Sequence, residues 1–470
     1  MKILKFGGSC LKNGEDFRQA ALIINNSHPF PVVILSAAYG VTDDLHLSLD
    51  KALQSEKSIS GIIQSLKNRH EKIAESAIQK NKKRTRLNEE MEGQIKRLEK
   101  VLRGISYTGE ITPSLRAFVL SFGERLAVQI LAAYINASGR KAVALEADTI
   151  GIVTDECFEQ ATARQADIRN NLKYSVKPLI DKEFIPVITG YFGRSIHGKI
   201  TTFGRNGTDY SAAVIASALD ASALEIWKDV RGFMSADPQS IPDSKPIENL
   251  SYEEAAELSY FGAQILHPRT VEPLAQNNIP VFIKDFWNPS ASGTKIESSA
   301  YKSGQTVKSV TCNKNISVLK IQGAGVGCKP GIIAIVGSAL SESGINIYSI
   351  ITSQTCINLI VDKKDASQGY NKLSSLCEGV IEKVGRINDL SLIAVVGEGL
   401  RSRYGVAARV LSAVAGRKIN VEMISSGASE VAHYILVKTK NADAAVKAIH
   451  EQFFQSPDTF YSSESMMRPG

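Results

Sequence analysis

A tight group of glycines and charged residues lies in the stretch TTFGRNGTDYSAA, residues 201–213, directly before an alanine-rich helical pattern. Gly204 and Gly207 let the backbone turn sharply and approach a ligand closely. Arg205 can grip a carboxylate or a phosphate with two parallel hydrogen bonds, and Asp209 can hold a cation or orient a lysine. This mixture indicates a site for a small acidic ligand.

A second loop of this character follows the first predicted strand, KILKF, residues 2–6. Gly7 and Gly8 can offer backbone amides to a phosphate, a following helix amino terminus favours negative charge, and Lys5 can reach a phosphoryl group. The Walker pattern GxxxxGK[ST] is absent from the sequence. From these residues alone, a tight strand-to-helix turn with an exposed lysine is an equally good interpretation.

The elements that must position these loops alternate between short apolar runs and helical patterns over the first 297 residues. Several of the apolar runs are apolar throughout, which is typical of parallel strands buried on both faces. Strand–helix alternation predicts a three-layer α/β domain, whose ligands lie at the carboxyl ends of the strands. The predicted strands are residues 2–6, 31–36, 141–146, 185–193, 223–230 and 279–286.

The composition is that of an ordinary globular protein of two or three domains, with 470 residues, 43% hydrophobic and 22% charged residues, and a net charge of +7. No run of about 18 uninterrupted apolar residues or signal peptide is evident, so we expect a cytoplasmic protein with no membrane partner. The cysteines lack CxxC spacing, which predicts reduced thiols and no metal site. The basic run KNKKRTR, residues 80–86, lies among mixed charges and predicts exposed helices, not a nucleic-acid site.

The last third of the chain contains an internal repeat. Gly331 recurs as Gly405 and Ile350 as Ile424, each pair 74 residues apart. Each copy has the pattern βαββαβ. In the first copy we expect strands near 316–321, 345–351, 356–361 and 380–386, and helices near 330–342 and 366–377.

The second copy lacks a final strand, because a polar tail follows its last helix. The stretch TVKSVTCN, residues 306–313, reads as a strand without a partner before the first copy. The economical prediction is that this strand completes the second copy's sheet, so that the first copy is inserted within the second.

Five motifs occur in the order found in aspartate kinases. They are KFGGSC at the amino end, SFGERLA (121–127), FGRNGTDYSA (203–212), EIWKDVRGFMSADP (225–238) and LSYEEAAELSYFGAQILHPRT (250–270). The repeat resembles the paired ACT regulatory domains of that family, and the chain resembles the monofunctional type. The resemblance implies an α/β fold with an amino-acid-kinase (carbamate-kinase-like) domain at 1–297, ACT domains at 314–388 and 389–460, and a strand at 305–313 that completes the second.

The activity implied by the resemblance is phosphoryl transfer from MgATP to the side-chain carboxylate of L-aspartate, giving 4-phospho-L-aspartate on the route to lysine, threonine and methionine. Such an enzyme is a phosphotransferase with a carboxyl group as acceptor. The implied catalytic residues are Lys5 and Asp209, and substrate would contact Ser36, Thr42, Glu124 and Arg205. The implied ATP-binding residues are Lys5, Gly7, Gly8, Ser9, Lys228, Asp229, Met234, Gln239 and Gln264.

The reaction needs little acid–base help, because a carboxylate with a reference pKa of about 3.9 is already ionised at neutral pH. The difficulty is to bring one anion to another. Positioning can supply roughly 7–11 kcal/mol of the barrier reduction, and charge neutralisation by magnesium and lysine supplies much of the rest.

The nucleotide segment departs from the family pattern at four positions. The family usually has Thr at Lys228, Tyr at Met234, Arg at Gln239 and Lys at Gln264, so two cations are replaced by neutral glutamines and one new cation appears. Two interpretations stay open: Lys228 reaches the triphosphate and compensates, or it points to solvent. His267, followed by Pro268, reads as a helix carboxyl-terminal cap or a packed histidine.

The resemblance also implies regulation by an amino-acid effector, lysine or threonine, and a homodimer or homotetramer formed through the ACT domains. A dimerisation platform without an effector is the alternative. The second copy has Ala432-His433 where the family often has Asn-Ile, which places a second effector site in doubt. The implied effector residues are Gly331, Ile332, Ile333, Ile347, Tyr348, Thr352, Ser353 and Gln354.

Two other functions remain open from the sequence. One is a kinase for glutamate or another acidic amino acid. The other is a catalytically weak, effector-binding sensor whose nucleotide site has decayed, supported by the departures at Lys228, Met234, Gln239 and Gln264. The presence of Lys5, Glu124, Arg205 and Asp209 argues against the sensor.

Overall fold

The computed structural model describes residues 1–76, 78, 82–262, 265–298, 306–377, 381–400 and 403–455. The chain forms two compact units. The first contains residues 1–233, 246–256 and 265–301, and the second contains residues 234–245, 257–264 and 302–470.

The first unit is built on a sheet that is parallel except at one edge. Its strands are β1 (Lys2–Phe6), β2 (Val32–Leu35), β3 (Ala142–Leu145), β4 (Val153–Thr154), β5 (Ile185–Thr189), β6 (Phe192–Ser195), β7 (Ile200–Thr202), β8 (Ala223–Lys228), β9 (Asn249–Ser251), β10 (Val281–Asp285) and β11 (Thr294–Glu297). The main sheet has the order β3-β5-β2-β1-β8-β10-β11-β9, in which β10 and β11 are antiparallel, and β4, β6 and β7 form a small second sheet.

Helices cover the sheet, as the strand–helix alternation predicts. They are α1 (Gly14–Asn25), α2 (Val41–Gln54), α3 (Lys57–Glu75), α4 (Lys82–Thr108), α5 (Pro113–Leu120), α6 (Phe122–Ala137), α7 (Ala147–Ile150), α8 (Gln165–Ser175), α9 (Lys177–Asp181), α10 (Gly207–Ala218), α11 (Tyr252–Phe261) and α12 (Pro268–Ala275). Apolar strand residues such as Leu4, Phe6 and Trp227 pack with helix residues such as Phe17 and Leu126 in one core. The predicted α/β class with a mainly parallel sheet is confirmed.

The polar helices α3 and α4 each have one exposed face and one buried face. The described part of the basic run, residues 82–86, lies in α4, and charged side chains such as Arg86 and Glu90 lie on its outer face. The opposite faces are buried, with Leu66, Ile73, Met91 and Leu98 in the core of the first unit. The prediction of exposed helices was therefore right for one face only, because mixed charges conceal an amphipathic period.

Two predicted elements are interrupted by turns. The stretch 185–193 is not one strand: β5 ends at Thr189, Tyr191 takes a left-handed φ of 70°, and β6 continues in the other sheet. The helix predicted within the motif at 250–270 ends at Phe261.

The helical stretch Pro113–Ala137, comprising α5 and α6, is long and apolar enough to cross a membrane by length and composition. In the molecule 83% of its apolar window is buried. That burial is typical of the core helix of a globular domain.

The second unit contains two antiparallel four-stranded sheets, each packed against helices. The strands are β12 (Ser309–Asn313), β13 (Ile316–Gln322), β14 (Ile347–Thr352), β15 (Cys356–Asp362), β16 (Lys383–Ile387), β17 (Leu390–Val396), β18 (Met423–Ser426) and β19 (Ala432–Lys438). The helices are α13 (Ile332–Glu342), α14 (Ala366–Ser374), α15 (Val406–Gly416) and α16 (Ala442–Phe454). The sheet orders are β14-β15-β13-β16 and β12-β17-β19-β18.

Strand β12 completes the second of these sheets. It pairs antiparallel with β17, with Ser309 opposite Val396, although the whole first copy of the repeat lies between them in the chain. Val310 also donates its amide to the Ser235 carbonyl, and Ala236 and Ile241 lie in the same core, so residues 234–245 are integral to this unit.

Candidate functional site

The strand order of the first unit creates a topological switch point at β1. The chain moves from β1 to β2 on one side, and later strands β8 and β10 add on the other side. Ligands in open parallel sheets bind at the carboxyl ends of strands next to such a reversal. Lys5 lies at the end of β1, and the loop that contains Arg205 and Asp209 leads into α10, which packs on β1, β2 and β8.

Lys5 and Asp209 form a buried ion pair at this edge. The Lys5 Nζ lies 2.6 Å from the Asp209 Oδ1, and the two residues are 4% and 1% exposed. Asp209 stands in the first turn of α10, where the partial positive charge of the helix amino terminus favours a carboxylate. The structure thus brings together the two residues to which the resemblance assigns catalysis.

The electrostatics of the pair reflect its burial. Burial lowers the pKa of the Lys5 ammonium, and the charge of Asp209 offsets only part of that effect. Burial opposes ionisation of Asp209, but the positive charges of Lys228 and Lys5 outweigh it and hold the pKa of Asp209 below its ordinary value. Perturbed, buried ionisable groups at a sheet edge are a recurrent mark of functional sites.

Lys228 contacts the other oxygen of the same carboxylate. Its Nζ lies 3.0 Å from the Asp209 Oδ2 and also donates to the Ile265 carbonyl, and its side chain is 15% exposed. The interpretation that Lys228 points to solvent is wrong, because its ammonium contacts two acceptors of the first unit. Its role toward the triphosphate stays a prediction.

Glu124 is buried in the first turn of α6. Its Oε1 accepts a hydrogen bond from the Ala37 amide at 3.0 Å, and its Oε2 has no hydrogen-bond partner in the described structure. Burial raises the pKa of Glu124 to about 8. Gly123 permits this approach, because a side chain there would lie 2.7 Å from the Ala37 Cβ. A buried carboxyl group with one unpartnered oxygen is suited to receive a polar ligand.

The glycine turn after β1 differs in one respect from the predicted phosphate loop. Residues Gly8–Cys10 form a single 3-10 turn, and α1 begins later, at Gly14. The Asn13 side chain caps α1 by accepting hydrogen bonds from the amides of Glu15 and Asp16. These two amides of the helix amino terminus therefore already have an acceptor within the chain. Gly7 stays close to the site, because a Cβ there would lie 3.2 Å from the Lys5 Nζ.

Ser9 and Asp229 join the ends of β1 and β8. The Ser9 hydroxyl donates to the Asp229 Oδ1 at 2.9 Å. Asp229 directly follows Lys228 and is exposed, and within the described residues its carboxylate makes no ion pair. Two predicted nucleotide-binding residues are thus in contact at the carboxyl edge.

The remaining substrate-site residues lie in two segments of the same unit. Ser36 and Thr42 are half-buried; Ser36 precedes Ala37, whose amide binds Glu124, and Thr42 lies in the first turn of α2. Arg205 is exposed, between Gly204 and Asn206, which both have positive φ values. Its positive charge contributes to lowering the pKa of His267, after the larger effect of burial and that of Arg269.

Three of the predicted nucleotide-binding residues lie outside the described part of the first unit, so their role stays a prediction. Gln264 lies outside the described residues. Met234 and Gln239 belong to the second unit, where the Met234 carbonyl accepts from the Ser309 hydroxyl and Gln239 is exposed.

His267 caps the amino end of a helix, not the carboxyl end. It precedes α12, and its Nδ1 accepts from the Arg269 amide at 3.3 Å. Pro268 at the first helical position is consistent with a helix start.

Two residues near the site were missed by the sequence reasoning. Arg125 is fully buried and forms ion pairs with Glu146 and with Asp148, the latter at 3.0 Å. This network ties the turn of α6 that carries Glu124 to the end of β3. Tyr191 takes a left-handed backbone conformation beside Gly207, and burial followed by the charge of Glu124 raises its pKa to about 12. The sequence feature that could have identified Arg125 was its position directly after Glu124 in the motif SFGERLA.

The predicted effector residues lie around a glycine loop and the edge strand β14 of the second unit. Gly331 has φ 89° and precedes α13, in which Ile332 is buried and Ile333 is exposed. The Gly327 amide donates to the Gln354 carbonyl at 3.2 Å, so the loop adjoins the end of β14. Ile347 and Tyr348 are half-buried, whereas Thr352, Ser353 and Gln354 are exposed.

Comparisons with known proteins agree with this architecture. The amino acid kinase family matches residues 1–285, and ACT domain families match residues 311–375 and 393–453. The chain is 32% identical over 464 residues to chloroplastic aspartokinase 2 of Arabidopsis thaliana, covering 97% of the chain and 84% of the relative.

Two solved structures share the fold. A structure of E. coli aspartokinase III with aspartate and ADP has a TM-score of 0.83 and 24% identity, covering 97% of this chain and 100% of that one. A structure of the same enzyme with lysine and aspartate has a TM-score of 0.80 and 24% identity, covering 97% of this chain and 99% of that one.

Proposed function

The chain belongs to the aspartokinase family, and we propose that it transfers the γ-phosphoryl group of ATP to the side-chain carboxylate of L-aspartate, giving 4-phospho-L-aspartate. The observation that carries the proposal is the buried ion pair of Lys5 and Asp209 at the switch point of the parallel sheet. A buried ammonium beside a glycine turn suits the charge that a transferring phosphoryl group presents.

Each side chain of the site has a role in this proposal. Lys5 balances the negative charge of the transferring group, and Asp209 fixes the position of Lys5. Arg205 grips a carboxylate of the substrate, with Ser36 and Thr42 as hydroxyl contacts. Glu124 receives the substrate ammonium through its unpartnered oxygen, and the arriving positive charge favours loss of the proton that burial otherwise retains.

The nucleotide is expected to bring magnesium with it. The described residues contain no group of three or more His, Cys, Asp or Glu side chains that could hold a metal ion by themselves. Magnesium in phosphoryl-transfer sites is commonly held by substrate phosphates and one or two carboxylates. Asp229 is the carboxylate that would join such a set, and the ion would neutralise phosphate charge during transfer.

Regulation by an amino acid is part of the proposal. The support is the pair of ACT sheets, the glycine loop beside β14, and the structure of E. coli aspartokinase III, which has the same fold, in complex with lysine. We propose lysine or threonine as the effector, bound by the first copy, and association of two or more chains through the edge strands β14 and β18. Exposed Ile350 and Ile424 on these strands are consistent with such association. A cytoplasmic location stays a prediction.

The first experiment is a hydroxamate assay on the purified full-length chain. The protein is incubated with MgATP, L-aspartate and hydroxylamine, and the hydroxamate formed from the acyl phosphate is measured. A signal that requires both ATP and aspartate, with glutamate at least about tenfold poorer, supports the proposal. No signal with aspartate, from folded protein that binds lysine or threonine, would instead favour the sensor function.

A further inference from the structure

Lys228 shares a single carboxylate with Lys5. Asp209 contacts Lys5 through Oδ1 at 2.6 Å and Lys228 through Oδ2 at 3.0 Å. All three groups are largely buried, since Asp209 is 1% exposed and the side chains of Lys5 and Lys228 are 6% and 15% exposed. Two ammonium groups on one buried carboxylate is an uncommon arrangement, because burying charge is costly unless each charge is compensated.

Strand register explains how the two lysines meet. Lys5 lies opposite Ile226 in the parallel pair of β1 and β8. Because side chains alternate along a strand, Lys228 points to the same face as Ile226, and therefore to the same face as Lys5. Helix α10 covers that face, and its first turn carries Asp209.

Lys228 also binds a third element. Its ammonium donates to the Ile265 carbonyl, in the loop just before α12. Lys228 thus joins the end of β8, the start of α10 and the loop at 265–267. A residue with these contacts restrains Asp209 from the side opposite Lys5.

The charge count of the cluster differs from that of a simple ion pair. Lys5 and Asp209 alone would sum to zero, whereas Lys5, Lys228 and Asp209 sum to one positive charge. The three groups lie at the carboxyl edge beside Ser9 and Asp229, at the ends of the same two strands. A net positive, water-poor cluster attracts a polyanion far more strongly than a neutral pair does.

We infer that Lys228 is a positioning residue for phosphoryl transfer: it holds Asp209 against Lys5 and gives the buried cluster of Lys5, Lys228 and Asp209 the net positive charge that receives the nucleotide phosphates. The inference rests on the proposed kinase function and adds to it a residue that acts through Asp209. Lys228 acts through Asp209 and does not need to touch substrate.

The test compares three replacements of Lys228 in the full-length protein. Lys228→Arg keeps the charge, Lys228→Gln keeps a hydrogen-bond donor without the charge, and Lys228→Met keeps neither. Lys2→Gln is the matched control, because Lys2 forms an ion pair with Glu225 at the opposite end of the same two strands, at 2.8 Å. Thermal melting identifies any variant that fails to fold.

We expect Lys228→Gln and Lys228→Met to raise the KM for ATP and the calorimetric Kd for MgADP by roughly tenfold or more, and to lower kcat. Lys228→Arg and Lys2→Gln should stay within about threefold of the parent protein, and the KM for aspartate should change by no more than about twofold. A merely structural lysine would instead lower the melting temperature while nucleotide affinity in the folded fraction stays constant.

The readouts separate this inference from the proposed function. If the parent protein forms no aspartyl hydroxamate but binds MgADP, the kinase proposal fails, and the MgADP affinities of the variants still decide the role of Lys228. If the parent protein is active and Lys228→Gln binds and turns over ATP normally, the inference is overturned. If the parent protein binds no MgADP at all, both are wrong.

Discussion

The carboxyl edge of the first unit and the edge strand β14 of the second unit hold their polar residues in opposite ways. At the first, Lys5, Asp209 and Glu124 are buried and compensated by partners from distant parts of the chain. At the second, Ser353 and Gln354 are exposed, and glycine geometry brings the loop to the strand.

The difference determines what a substitution at each edge can change. A buried charge depends on its partner, so a change at the carboxyl edge affects chemistry and stability together. At the exposed edge strand β14, the position of the polar groups depends on the backbone conformation of the loop. A substitution in that loop can therefore alter the response to a ligand while the fold persists. Substitutions at the two edges therefore test this contrast.

Replacing Lys5 with Met should lower kcat/KM for aspartate by roughly a thousandfold, because the phosphoryl group loses its buried counter-charge. The chain should still fold, since Asp209 keeps its contact with Lys228. Hydroxamate formation and thermal melting measure the two effects. Lys2→Met is the control, with activity within about twofold. A Lys5→Met variant that retains a tenth of the activity would contradict the catalytic role.

Replacing Glu124 with Gln should stabilise the protein at alkaline pH. The folded-state pKa of Glu124 is about 8, above the reference value of 4.5. Because its pKa is raised, folding favours the protonated form, and stability falls as pH rises from about 4.5 through about 8. Gln stays neutral, so the variant should gain roughly 3–5 kcal/mol above pH 8 and little at pH 4.5.

Urea unfolding at pH 4.5 and pH 8.5 measures this difference, and the same gain at both values would contradict it. The variant should also raise the KM for aspartate by roughly tenfold, since a neutral amide receives an ammonium less well. A stabilising change that weakens substrate binding is the expected behaviour of a functional residue held at a cost to stability.

Replacing Gly327 with Ala should weaken the effector response while leaving catalysis intact. A Cβ at Gly327 would lie 1.8 Å from the Ser353 carbonyl oxygen, so the loop must leave the end of β14. We expect the effector concentration for half-maximal inhibition to rise roughly tenfold or more, with kcat within about twofold. Lysine and threonine titrations of the activity measure both.

Gly337→Ala is the matched control for that change. Gly337 lies in α13, where a Cβ would meet no atom within 4 Å, and alanine favours a helix. Inhibition of this variant should match the parent protein. An unchanged inhibition curve in Gly327→Ala would place the effector elsewhere.

Local patterns explain how much of this architecture could be predicted from the sequence. The buried strands follow from patterns among neighbouring residues, and the repeat follows from matches at a fixed spacing of 74 residues. The missing last strand of the second copy predicted that a strand before the first copy completes its sheet, as β12 does. Lys5 and Asp209 lie in glycine-containing loops that the sequence reveals, whereas Glu124 was assigned through the resemblance to aspartate kinases. The turn at Tyr191 was missed because a continuous apolar run conceals a change of sheet.

The remaining features depend on strand register and helix placement, which no short window contains. The contact of Lys228 with Asp209 joins β8 to α10, and the Arg125 ion pairs join α6 to residues beyond β3. Buried ion pairs between distant segments leave no periodic pattern in the sequence, so a local pattern cannot predict them. His267 was assigned to the wrong helix end although Pro268 is a helix-start signal.

The smallest predicted effect concerns the second copy of the repeat. Asn358 of the first copy has a buried Oδ1 without a hydrogen-bond partner in the described structure, whereas the strand pairing places Tyr434 at the equivalent position in the second. The preceding residue, His433, binds the exposed Ser426 hydroxyl at 2.6 Å, where the first copy has Ile357 opposite Thr352. In the second copy, the His433 side chain thus has a hydrogen-bond partner, Ser426, within the same sheet.

Replacing His433 with Leu should therefore change little. Burial lowers the pKa of His433, so the replacement removes no charge at neutral pH, and Ser426 can bond to water instead. We expect the half-maximal effector concentration to stay within about twofold of the parent value. Asn358→Ala, which removes the unpartnered amide oxygen of the first copy, should raise it by roughly tenfold. Equal effects of the two variants would mean that both copies bind effector, and the contrast between them would fail.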